Sequence, residues 1–309
     1  MKWPIRIAVG LAGLIASTVL VLLVASYLFN LATDGESKPV TALWHGRFVT
    51  ADGVLTAYRE WGSRGSPIVL VGGFLEPSFV WEDVGPILAR AGHRVYALDI
   101  DGFGYSARRG PWTLAEWGDQ VQAFIRVLGL HKPLIAGHSL GAAIAVELAN
   151  RGLVARAVLV DGDALDSGGP PGFVRSLLSR SPFVTSALRL SLDWDWPVTL
   201  ILGNAYGSIH PRLDHAIVSE WTNQFRADGA DHAIAEIIKH GIQGYSRADL
   251  QKLRIKATVV WGSKDGVDSP AAGRQTAADL HAQFVVIPGA GHLTPLTNPA
   301  DVAQAIESG

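Results

Sequence analysis

The sequence predicts an α/β protein, a mostly parallel sheet covered by helices on both faces, preceded by one transmembrane helix. Three observations predict it. Short apolar runs at residues 68–71, 94–98, 134–136, 157–160, 258–261 and 284–287 alternate with helical patterns, the rhythm of a buried parallel sheet. The pentapeptide Gly137-His138-Ser139-Leu140-Gly141 sits between one of those runs and an Ala-rich helical pattern at residues 142–150. Residues 7–29 form a stretch of 23 residues without a charge.

That uncharged stretch would span roughly 34 Å as a helix, enough to cross a hydrocarbon core. A secretory signal has an apolar region of only about 7 to 15 residues, so an uncleaved anchor is expected, with cleavage near Ala25 or Ala32 as the alternative. Lys2 and Arg6 precede the span, while Asp34 and Glu36 follow it. This asymmetry predicts a cytoplasmic N-terminus and an extracytoplasmic remainder. Residues 1–43 therefore read as anchor and linker, the linker being residues 30–43, and residues 44–309 as one large domain.

The domain opens with strand-like stretches at residues 47–50 and 54–60, joined by the hairpin signal Ala51-Asp52-Gly53. The run at 68–71 leads into Gly72-Gly73-Phe74, and the run at 94–98 into Asp99-Ile100-Asp101-Gly102-Phe103-Gly104-Tyr105-Ser106. Residues 102–107 satisfy a dinucleotide-binding pattern, but Arg108-Arg109-Gly110-Pro111 cannot begin the helix that pattern requires, so a turn is expected there. At Gly137 to Gly141 the strand-to-helix context predicts a nucleophile elbow presenting Ser139. A serine hydroxyl needs a base to take its proton, and that base needs an orienting carboxylate, in the chain order Ser, acid, His. Asp265 follows the run at 258–261 and is the candidate acid; Asp161, Asp163 and Asp268 are its rivals. His292 follows the run at 284–287 in Gly289-Ala290-Gly291-His292 and is the candidate base. His138 is expected to have a structural role, with its side chain directed away from Ser139.

Between residues 166 and 246 the strand rhythm stops. A hinge-like loop, Ser167-Gly168-Gly169-Pro170-Pro171-Gly172, opens a stretch with helical patterns at residues 211–226 and 231–240, which reads as a helical cap inserted after the sixth strand. Phe173, Phe183, Trp194, Trp196, Tyr206, Trp221 and Phe225 lie in it. Each is expected in the cap core, and together they favour an apolar acyl or alkyl pocket.

Taken in order, these motifs resemble the α/β-hydrolase superfamily over residues 44–309 apart from the middle. Gly72-Gly73-Phe74 is similar to the family's oxyanion loop, with Gly72 where the family usually has histidine. Asp99 to Ser106 and Gly289 to His292 match two further family loops. The resemblance implies a serine hydrolase, esterase- or lipase-like, with the triad Ser139, Asp265 and His292 and an oxyanion hole made by the backbone N–H groups of Phe74 and Leu140. It implies no metal and no organic cofactor. The expected partner is a small, apolar ester. Hydrolysis of a C–C bond or an amide, perhydrolysis, and an inactive hydrolase-like binding protein on a membrane remain alternatives.

A net charge of −2 and a pI near 6.5 give no electrostatic case for nucleic acid. With zero cysteines, disulfide and thiolate-metal chemistry are unavailable. The sequence does not indicate an oligomeric state.

Overall fold

Runs of β-branched and aliphatic residues build the central sheet of the computed structural model, which describes residues 2–33, 35–168, 171–172, 175, 182–208 and 210–308. Strands β1 (Arg47–Ala51) and β2 (Val54–Trp61) form an antiparallel hairpin closed by Asp52 and Gly53, both at positive φ (51° and 73°), as a two-residue hairpin turn requires. Six more strands follow: β3 (Pro67–Val71), β4 (Arg94–Leu98), β5 (Leu134–His138), β6 (Arg156–Val160), β7 (Ala257–Gly262) and β8 (Gln283–Ile287). The order across the sheet is β1-β2-β4-β3-β5-β6-β7-β8, with β2 antiparallel to β1 and β4 and the other pairings parallel. The expected α/β-hydrolase architecture is thus observed.

Alternation along β3 shows why both faces need cover. Val69 and Val71 join one apolar core, packed by Trp117, Val121 and Phe124 of α4 (Leu114–Val127) and by Ile144 and Leu148 of α5 (Leu140–Asn150). Ile68 and Leu70 join the opposite core with Val84 and Leu88 of the helix Val84–Arg90 and Val302 and Ile306 of the helix Pro299–Ser308. Burial on both faces accounts for the near-continuous apolar strands.

Ahead of the sheet stands α1 (Lys2–Ala32), whose segment Arg6–Ala32 is apolar and has no fully buried residue. The expected linker at residues 30–43 is not a free tether. Asn30 belongs to α1, the Lys38 N–H donates to the Arg226 carbonyl at 2.8 Å, the Asp228 N–H donates to the Lys38 carbonyl at 3.0 Å, and Val40 is buried. Composition alone cannot reveal this docking, because the partners lie almost two hundred residues downstream.

Helices α6 (Phe183–Asp193), α7 (Asp195–Tyr206), α8 (His215–Thr222) and α9 (Ala230–His240) fill the interval between β6 and β7. Tyr206 and Trp221 are buried in a small core of their own with Phe79, Leu202 and Leu293. Trp194 and Trp196 depart from expectation: they are 53% and 68% exposed. Phe173, Gly169, Pro170 and Asp34 lie outside the described residues.

Candidate active site

The elbow is built by close backbone packing. Ser139 links β5 to α5 at φ 50° and ψ −118°, a conformation that L residues rarely adopt. A Cβ on Gly137 would lie 1.9 Å from the Gly141 carbonyl oxygen, and one on Gly141 would lie 2.6 Å from that of Val71. Both glycines are therefore demanded by space rather than by φ. Among the described residues, the backbone N–H groups of Phe74 and Leu140 have no protein acceptor, and both residues border the same cavity as Ser139.

The carboxyl ends of β7 and β8 bring the other two candidates together. His292 Nδ1 lies 2.8 Å from Asp265 Oδ2, with both side chains buried. Asp265 Oδ1 is held by the N–H groups of Val267 (2.8 Å) and Asp268 (2.9 Å), which fixes the carboxylate in its turn. The His292 N–H donates to the Ala205 carbonyl of α7 at 2.8 Å, so the imidazole loop is fastened to the helices above the sheet. Ser139 and His292 face one cavity without a direct hydrogen bond among the described residues. Such bonds commonly tighten only when substrate is present.

The rival acids have other occupations. Asp161 Oδ1 accepts from the Gly262 N–H at 2.8 Å and its Oδ2 accepts from the Thr294 hydroxyl, so it ties β6 to β7 and to the segment after His292. Asp163 Oδ1 accepts from the Leu165 N–H at 3.0 Å in a local turn. Asp268 lines the cavity, and burial raises its pKa.

Beneath the elbow lies a buried network whose members the sequence did not connect. His138 is fully buried, with Nδ1 2.7 Å from Glu76 Oε2 and Nε2 2.8 Å from the His292 carbonyl oxygen and 3.6 Å from Asp161 Oδ2. Each ring nitrogen faces an oxygen acceptor, so the protonated ring, donating from both, suits the site. Burial opposes that charge, but attraction to Glu76 and the hydrogen bond to Asp161 outweigh it and raise the pKa well above the ordinary value. Glu76 Oε2 also accepts from the Gly73 N–H at 2.6 Å, supporting the loop that carries Phe74. A single signal was available: Glu76 is the lone charge in the otherwise uncharged stretch between residues 60 and 82 after Arg64.

Glu76, His138 and His292 could also be considered as metal ligands, since their donor atoms lie within 4.8 Å of one another. Both ring nitrogens of His138 are already engaged in the hydrogen bonds just described, which leaves the trio better suited to bracing than to coordination. The segment at residues 102–107 starts no helix; the next one begins at Leu114. Instead Asp99 accepts from the Ser78 and Tyr105 N–H groups, the latter at 2.7 Å, and closes the turn.

Above Ser139 and His292 opens a cavity of about 1080 Å³, walled mainly by apolar side chains of α6 and α7 such as Leu188, Val198, Leu200, Ile201 and Leu202. Trp221 and Phe225 also line it, so these two aromatics serve the pocket wall.

Comparison with known proteins follows the same geometry. Residues 68–305 match the Alpha/beta hydrolase family. A Pseudomonas putida protein described as the dihydrolipoyllysine-residue acetyltransferase component of an acetoin cleaving system is 30% identical over 258 residues, covering 79% of this chain, which spans 63% of that relative's length. An N-formylmaleamate deformylase of Pseudomonas putida is 26% identical, with 81% of this chain and 90% of the relative covered. Among solved structures, the enol-lactonase of Burkholderia xenovorans LB400 superposes with a TM-score of 0.70 at 19% identity over 84% of this chain and 98% of its own. A membrane phospholipase A superposes with a TM-score of 0.67 at 20% identity over 98% of this chain and 96% of its own. With the strand order, the elbow and a sequence match over most of its length in agreement, the chain belongs to the alpha/beta hydrolase family.

Proposed function

We propose that this protein is a membrane-anchored serine hydrolase that cleaves carboxylic esters bearing an apolar acyl chain. The observation that carries the reading is the 2.8 Å contact between His292 Nδ1 and Asp265 Oδ2 beside the elbow that presents Ser139. Ser139 Oγ attacks the ester carbonyl while His292 Nε2 takes its proton. Asp265 holds the imidazole in the tautomer with Nδ1–H and stabilises its cationic form. The N–H groups of Phe74 and Leu140 receive the developing oxyanion. His292 then protonates the leaving alcohol, and a water activated by the same ring releases the acid and restores Ser139. The apolar cavity walls suit an acyl chain.

A relative described as a deformylase favours a second reading, hydrolysis of an amide on the same machinery. The experiment is labelling with a fluorophosphonate probe followed by turnover of paired nitrophenyl esters and anilides of equal chain length. Ester turnover that is lost with labelling in Ser139→Ala is the expected result; anilide turnover exceeding ester turnover would favour the second reading, and undiminished labelling of Ser139→Ala would overturn both.

The span Arg6–Ala32, with Lys2 and Arg6 before the uncharged stretch, supports an anchor with a cytoplasmic N-terminus and an extracytoplasmic hydrolase; secretion after cleavage is the alternative. Protease added outside spheroplasts should digest the hydrolase domain while a tag at residue 1 stays protected.

A further inference from the structure

The last third of α1 is docked rather than bare. Leu23, Ser26, Phe29, Asn30 and Thr33 are half-buried while the residues between them are exposed, the spacing of one helical face. That face meets the start of the cap. Asn30 Nδ2 donates to the Pro182 carbonyl at 3.0 Å, the Ser186 hydroxyl donates to Asn30 Oδ1 at 2.8 Å, and Arg189 Nη1 donates to the Thr33 hydroxyl at 2.7 Å. About 20 helical residues cross a hydrocarbon core, so a core entered at Ile7 is left near Ser26. Asn30 then lies roughly 6 Å beyond it, at the depth of the lipid headgroups, and α6 is fastened there.

Helix α7 follows α6 after the single residue Trp194. Trp194 and the outer side of α7 present large apolar side chains left mostly uncovered among the described residues: Trp194, Trp196, Leu200 and Ile201 are 53%, 68%, 72% and 70% exposed. Leu200 and Ile201 also border the cavity that holds Ser139. Exposed apolar area of this kind marks an interaction surface, and tryptophan favours the boundary between lipid and water. Asp193 and Asp195 flank Trp194, so the attraction of the patch is apolar rather than cationic, and a zwitterionic bilayer suits it.

We propose that the face of α7 bearing Trp194, Trp196, Leu200 and Ile201 inserts into the outer surface of the bilayer that α1 crosses, so that the cavity opens onto the membrane and takes lipid esters from it laterally. This rests on the anchored ester hydrolase proposed above. The bilayer is the occupant because the docked end of α1 already sets the cap at that depth.

The test uses the full chain in phosphatidylcholine nanodiscs. The protein has no cysteine, so one cysteine can be introduced and labelled with an environment-sensitive dye. Trp196→Cys is compared with His131→Cys, an exposed position just before the amino end of the central strand β5, opposite the carboxyl ends that carry the cavity. Spin-labelled lipids should quench the dye at position 196 and spare position 131; equal quenching at the two overturns the proposal. A dye shift at 196 in detergent that grows with protein concentration at fixed detergent would assign the face to a second copy of this chain, and also overturns it.

A second arm reads function. Trp194→Asp and Trp196→Glu together place acidic residues at a helix N-terminus, which tolerates them. Turnover of a long-chain phosphatidylcholine ester in the disc should fall about tenfold or more, while turnover of a short water-soluble ester stays within about twofold. Unchanged lipid turnover overturns the proposal. Absence of any ester turnover in the unsubstituted protein would instead defeat the hydrolase reading, while the quenching arm still decides the surface.

Discussion

The ring of His138 donates from Nε2 to the backbone carbonyl of His292 across 2.8 Å, joining the residue before the elbow serine to the candidate base. The candidate nucleophile and the candidate base therefore stand on one braced unit. Its charge comes from neighbours: Glu76 on one side of the ring and Asp161 near the other.

His138→Gln should cost about 3–5 kcal/mol of stability at neutral pH, because it leaves Glu76 buried without its cation. The pH dependence has a definite sign. A histidine whose folded pKa is raised stabilises fully below its unfolded value, about 6.5, and that stabilisation is lost as pH climbs through the higher folded value. The gap in thermal midpoint between the unsubstituted protein and His138→Gln should accordingly be widest on the acidic side and narrow with alkalinity. A gap that widens with rising pH would contradict the charged ring.

Asp265→Asn should lower kcat by about four orders of magnitude with little change in thermal midpoint, since the imidazole loses its tautomer while its packing persists. Asp161→Asn should do the reverse, lowering the midpoint clearly and kcat less, because its oxygens hold Gly262 and Thr294 rather than the His292 ring. Measuring both quantities on both variants separates the two carboxylates.

Gly137→Ala should destabilise the fold by about 3 kcal/mol or more, because a methyl group 1.9 Å from a backbone oxygen forces β5 and α5 apart. Gly129→Ala offers a contrast in which the cost is backbone strain alone, since its φ is +62° and no atom lies within 4 Å of the added carbon. Thermal unfolding should rank Gly137→Ala as the more damaging.

Removing residues 1–43 should lower the thermal midpoint of what remains by several degrees relative to removing residues 1–22, because only the longer deletion takes away the Lys38 hydrogen bonds and the buried Val40. Equal midpoints for the two truncated proteins would mean that this docking contributes nothing.

Sheet, hairpin, elbow and the Asp265–His292 contact were legible because each depends on local pattern: a short apolar run, then a turn rich in glycine. Helices α6 and α7 were harder to read. In α7, Leu200 and Ile201 face outward while the adjacent Leu202 and Tyr206 are buried, so apolar residues encircle the helix and no clean period survives. The Glu76–His138–Asp161 network was illegible for another reason. Its members sit on separate strand ends, 62 residues apart for the first pair, and only the parallel packing of β3, β5 and β6 makes them neighbours.

The attachment of the His292 and Leu293 N–H groups to the Ala205 carbonyl divides α7 into two parts with different freedom. Its C-terminal root is bound to the loop of the candidate base, and a Cβ at Gly291 would already lie 2.4 Å from the Tyr206 carbonyl oxygen. Sequence drift at the root would displace the imidazole. The stretch from Trp194 to Ile201 carries no such tie to the candidate base among the described residues, so the cavity mouth can diversify there, one side chain at a time, while the arrangement of Ser139, Asp265 and His292 underneath stays put.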